Sequence, residues 1–118
     1  MKKLICLNFL FLILNSCTGK DCQDLPDLFS SYNNALTEIR ISDFGINETI
    51  DTSKSSWVEG LEYFSCDSTV GFLILRTKDR EYIHQNLPID LWQKLKNANS
   101  FGGFYNSEIK GKYSLRLK

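Results

Sequence analysis

The chain has 118 residues, 14 Lys+Arg against 14 Asp+Glu, 42% hydrophobic and 24% charged residues. That length holds one small domain, and the ordinary composition excludes wholesale disorder. A zero net charge excludes a simple polycation that coats nucleic acid by bulk charge, and the longest apolar run is too short to span a bilayer. The average hides a gradient. Residues 17–68 carry three bases and ten acids, whereas residues 94–118 carry six bases and one acid. Such a dipolar chain either neutralises itself in the fold or presents a charged contact surface.

Met1-Lys2-Lys3 forms a positive head, Leu4 to Leu14 is an apolar stretch interrupted by Asn8, and Leu14-Asn15-Ser16-Cys17 follows. A charged head, a short apolar core and a small residue before the cut describe a secretory signal over residues 1–16. Leu14-x-Ser16-Cys17 resembles the lipobox of bacterial lipoproteins. That resemblance implies diacylation of the Cys17 thiol, cleavage before it and a lipid-anchored mature chain. Two or three acyl chains anchor stably, at about 0.8 kcal/mol per buried methylene, where one holds only marginally. The expected location is the cell envelope, on the periplasmic or surface face of a membrane.

Residues 17–24 read as a tether, and residues 25–54 as an N-terminal helix and connector. Asp24 can cap, Pro26 suits a first turn, and Leu28, Phe29, Tyr32, Ala35, Leu36 and Ile39 recur at spacings of three and four. A helix over 26–40 is predicted. The polar stretch 42–56 reads as a connector with room for a short strand near Ile46–Ile50. Three strands follow, at Trp57–Phe64, Val70–Leu75 and Glu81–His84, with turns at Cys66–Thr69 and Lys78–Arg80. Pro88 starts a second helix over Ile89–Lys96, with Leu91, Trp92 and Leu95 on one face. One or two helical turns are expected between Ser100 and Lys112. The fold class is α+β, a three-stranded antiparallel meander packed by an N-terminal helix and C-terminal helices.

Once Cys6 leaves with the signal and Cys17 takes the lipid, Cys22 and Cys66 remain, an even pair in an exported chain. A disulfide between them is expected, with two buried free thiols as the alternative. No metal site is expected, because a single histidine, His84, and no C-x-x-C leave tetrahedral zinc without ligands at the usual spacing. No cofactor is implied. Catalytic motifs such as H-E-x-x-H and G-x-S-x-G are missing, so an enzyme is not expected. His84, in an apolar strand, reads first as a structural histidine.

From residue 55 onward the chain resembles the KTSC domain, a family named for the C-terminal extension of some lysyl-tRNA synthetases. The resemblance rests on Ser55-Ser56-Trp57-Val58, Tyr63, Tyr82-Ile83-His84, Leu87-Pro88, Leu95, Ala98 and Ser100. It continues through Gly102/Gly103, Phe104-Tyr105-Asn106, Ile109-Lys110 and Tyr113. It assigns residues 55–118 to a KTSC-like domain. The family's central Tyr-x-Tyr is here Tyr82-x-His84, and its usual preceding glycine is missing. The resemblance implies no established activity; RNA binding is an idea drawn from the synthetase context, and a lipid anchor weakens it.

Two functions follow as expectations. The first is a membrane-anchored, non-catalytic binding module for nucleic acid or another anionic polymer. Its face would combine Tyr82 and His84 with Lys96, Lys110, Lys112 and Tyr113, since rings stack on bases and cations meet phosphates or carboxylates. The bland alternative makes both tyrosines core and the lysines solvated surface. The second is a structural or protein-partner-binding lipoprotein of the envelope that uses the acidic N-terminal helix.

Overall fold

The computed structural model describes residues 20–118. The expected signal segment and the expected lipidation site, Cys17, lie outside the described residues. The described region opens with a two-residue strand β1 (Lys20–Asp21) and a single 3-10 turn (Cys22–Asp24). Helix α1 (Tyr32–Ile41) follows, then β2 (Ser42–Asp43), which pairs in parallel with β1. A four-stranded antiparallel sheet comes next, from β3 (Ile46–Ile50), β4 (Gly60–Ser65), β5 (Val70–Arg76) and β6 (Glu81–Pro88), in that spatial order. Helix α2 (Ile89–Lys96), one turn α3 (Phe101–Phe104) and a π turn (Tyr105–Ile109) close the chain before an extended tail.

The sheet therefore has four strands where the sequence predicts a three-stranded meander. Ile46–Ile50 pairs along its whole length with Ile50↔Leu61 to Ile46↔Ser65. Its inward positions are Ile46, Glu48 and Ile50, and the carboxylate in the middle interrupts the apolar alternation that marks a strand. Glu48 is tolerated because its Oε1 accepts the Trp92 indole N–H at 2.6 Å and the Lys96 ammonium at 3.0 Å. Those donors, the indole first, hold its carboxyl below the usual range.

Helix α1 also starts later than its apolar spacing predicts. Ser31 caps it, its Oγ accepting the Asn34 N–H at 3.0 Å. Residues 25–31 are not helical because Phe29 bridges in parallel to Leu117 in the tail, with Phe29 N–H donating to the Arg116 carbonyl at 2.9 Å. Strand β6 runs four residues past the predicted His84. A bulge opposite Phe72 lets it continue, with Asn86 at φ 60°, a conformation asparagine tolerates better than most residues. The extra residue keeps Tyr82, His84 and Leu87 on one side of the sheet. Gly71, across the bulge, is required there: a Cβ would come within 2.2 Å of the Phe64 carbonyl oxygen.

The sheet is buried on both faces. On one, Leu61, Tyr63, Leu73, Leu75 and Leu87 pack against Trp92, Leu95, Phe101, Tyr105 and Ile109. Tyr63 and Trp92 stack with ring centroids 5.1 Å apart. On the other, Phe64, Ile74 and Ile83 pack against Phe29, Ala35 and Ile39, so α1 covers that face. Cys22 and Cys66 form a disulfide with Cα atoms 5.9 Å apart, tying the segment before α1 to the end of β4. Among the described residues no helix is long and apolar enough to cross a membrane.

Candidate functional site

The register divides the sheet into two ends. Cys66, the β1–β2 pair and the β4–β5 turn lie at one end, beside Val70↔Pro88. The β5–β6 turn lies at the other, where Gly60, Arg76 and Glu81 are aligned. Five residue steps of β4 separate the two, roughly 17 Å.

At that second end, α1 and the β6 edge enclose a cleft of about 430 Å³ lined by Tyr32, Asn33, Leu36, Arg80, Glu81 and Tyr82. The Tyr32 hydroxyl accepts the Ile83 N–H, which points outward from the sheet edge. Burial pushes the Tyr32 phenol up, so it remains a neutral hydroxyl. Arg80 comes from the exposed turn, and its guanidinium carbon stands 5.5 Å from the centre of the Tyr82 ring. It makes no ion pair among the described residues. Glu81, by contrast, is ion-paired: Arg40 bonds Glu81 Oε2 at 2.7 Å and also Glu62 Oε1 at 2.6 Å. The two carboxylates hold the Arg40 guanidinium further up. Arg40 serves two carboxylates, so that triad keeps one net negative charge, and Arg80 is the cleft's cation without an ion pair among the described residues.

The structure separates the residues expected to share a face. Tyr82 and Tyr113 are half-buried against the same core cluster, and His84, on β6 with Tyr82, bridges to Ser114 and faces Tyr105. His84 is 6% exposed, with Nε2 2.9 Å from the Tyr105 hydroxyl and Nδ1 without a hydrogen-bond partner among the described residues. Burial pushes the imidazole down to about 4, and the nearby Tyr113 backbone only partly opposes this. Burial also pushes the Tyr105 phenol up to about 12. Neither group is accessible to an external ligand. Lys96 sits at the opposite sheet edge, bonded to Glu48 of β3, three strands from Tyr82. Lys110 and Lys112 are exposed after the π turn, and Lys112 Nζ donates to the Ser107 carbonyl at 3.1 Å.

Arg80 is the residue sequence reasoning missed. It stands in a turn of mixed charge, Lys78-Asp79-Arg80, with nothing to distinguish it from ordinary solvated surface. Its position two residues before Tyr82 was the available signal, because alternate strand positions share a face. Among the described residues one cluster carries metal-type ligands, Asp21 with Cys22 and Cys66, and its two sulfurs are joined to each other.

No curated protein and no solved structure matches the chain. The strands and loops from Ser55 to Phe64 lie outside the one stretch that matches a family model. That stretch, residues 70–113, matches the KTSC domain and takes in β5, β6, α2, α3 and the π turn.

Proposed function

We propose that this chain is a lipid-anchored module of the cell envelope that binds an anionic polymer, without catalysis, through the cleft between α1 and β6. The observation that carries the reading is the Arg80 guanidinium, without an ion pair among the described residues, beside the Tyr82 ring in a cleft whose one acid, Glu81, is ion-paired to Arg40. A planar guanidinium takes a carboxylate or phosphate in bidentate fashion, and the adjoining ring offers a surface for the flat part of the same ligand. The exposed Lys110 and Lys112 add a basic field that draws polyanions in at low salt.

Anchoring rests on Lys2-Lys3, the Leu4–Leu14 core and Leu14-x-Ser16-Cys17. A lipid on Cys17 would stand five residues before Cys22, at the disulfide end of the sheet. The cleft, at the opposite end, would then face away from the membrane. This favours a polymer of the envelope over a cytosolic RNA.

The test is a titration of the full chain in detergent with alginate and with a uridine oligonucleotide, at low and high salt. Binding that weakens as salt rises is expected, with alginate preferred. No binding to either at low salt overturns the reading. It would leave the protein-partner alternative, which Leu28 and Leu117 favour: they are 39% and 47% exposed on the paired segments that carry Phe29 and the tail.

A further inference from the structure

A second pocket lies at the same end of the sheet but on the α2 face. It holds about 200 Å³ between the loop that leads into β4 and the turn that leads into α3. Lys54 pins the two walls together, its Nζ donating to the Ala98 carbonyl at 2.8 Å and standing 4.4 Å from the centre of the Phe101 ring. Trp57 forms one side. Its indole lies directly on the Gly102 backbone, where a Cβ would come within 2.2 Å of Nε1. The edge of Tyr105 meets it with centroids 6.2 Å apart at 67°.

Trp57 is thus held from two directions and is still 38% exposed. A large ring kept rigid at the surface costs little further ordering when a ligand stacks on it. Around it stand polar groups with no hydrogen-bond partner among the described residues: the indole N–H, the Asn99 amide and the Ser56 hydroxyl. No carboxylate lines the pocket, and its one cation, Lys54, is already engaged.

We infer that this pocket is a binding site for a neutral sugar ring. The chemistry selects that class. An exposed indole accepts the apolar C–H face of a pyranose, and an amide with a hydroxyl can both donate to and accept from its hydroxyl groups. A charged ligand would find no free counter-charge, and a wholly apolar one would leave the amide and the hydroxyl unpaired. The site shares no residue with the Arg80 cleft, so the two readings stand or fall separately.

The experiment titrates the full chain, in a sugar-free detergent, with maltotetraose, cellotetraose and chitotetraose, and with deca-proline as a peptide control. Trp92 is fully buried, so iodide quenching of tryptophan fluorescence reports mainly on Trp57. Saturable protection from iodide by at least one sugar at millimolar concentration is expected. Asn99→Ala should weaken that binding about tenfold by calorimetry, the effect of one lost hydrogen bond to a ligand, with no change in thermal unfolding. Trp57→Ala should abolish it. No protection by any of the three sugars, binding to deca-proline alone, or sugar binding indifferent to Asn99→Ala would each overturn the assignment.

Discussion

The two faces of the sheet are closed in opposite ways. The α2 face is closed by chain that immediately follows β6, and its core is built of rings: Tyr63 on Trp92, Trp57 on Tyr105, and Phe101 nearby. The α1 face is closed by chain from both ends of the described region. Residues 25–41 arrive from the front and Leu115 from the tail, and the two meet at the Phe29–Leu117 bridge. That face is fastened by specific links, the Cys22–Cys66 disulfide and the Gln85 side chain. Gln85 donates to the Asp27 carbonyl and accepts the Arg116 N–H, each at 2.9 Å. Contacts between distant segments carry a larger loop-closure cost, and on the second face, closed from both ends, a covalent link helps to meet it, whereas the first has hydrogen bonds and stacked rings. The KTSC match, residues 70–113, holds the helical elements that close the first face and not α1.

The contrast can be broken from either side. Trp92→Ala should cost most, about 4–5 kcal/mol in chemical denaturation, because it empties a core position and leaves Glu48 without its indole donor. Replacing Cys22 and Cys66 together by Ser should cost roughly 3–4 kcal/mol, through closure of the loop between residues 44 apart. Hydrogen exchange in that variant should rise in α1 before it rises in α2. An equal rise in both would show that the faces are not separable.

His84 gives a pH test confined to the first face. Its folded value is depressed to about 4, so the folded protein holds it neutral while the unfolded chain protonates it near 6.5. Its contribution is fully present above that unfolded value and is lost as pH falls toward 4. Between neutral pH and pH 5 wild type should lose about 2 kcal/mol that His84→Gln does not lose. Parallel pH profiles for the two would contradict the burial argument. The smallest effect, about 1–2 kcal/mol, is expected for Gln85→Ala, which leaves the Asp27 carbonyl and the Arg116 N–H without their partner. Tail amides should exchange faster in that variant while the α2 face stays protected.

Legibility in the sequence follows the same division. Ile89–Lys96 behind Pro88 is readable because its apolar spacing and its boundary signal agree. The Cys22–Cys66 link is readable by elimination once export is assumed. Strand β3 is obscured by Glu48, an inward carboxylate whose partners, Trp92 and Lys96, lie more than forty residues on. The start of α1 is obscured because Phe29 fits the helical spacing yet is claimed by a strand contact with Leu117, the penultimate residue. The candidate site divides likewise. Tyr82 and His84 share a side of β6 as alternate strand positions imply, and Tyr113 meets the same core cluster from the tail. Lys96 is drawn to the opposite edge by Glu48, and Arg80 becomes visible only when the β5–β6 turn is folded against α1.

The central claim is that the Arg80 cleft, rather than the basic segment after the π turn, holds the polyanion. The direct measurement compares alginate affinity at low salt for wild type, Arg80→Gln, and the double variant Lys110→Gln with Lys112→Gln. The account predicts about tenfold weaker binding for Arg80→Gln, as expected for loss of a charge-assisted bidentate contact. The double variant should lose less than threefold, because exposed lysines contribute only a screened field. A larger loss in the double variant than in Arg80→Gln would contradict the account and place binding on the basic tail.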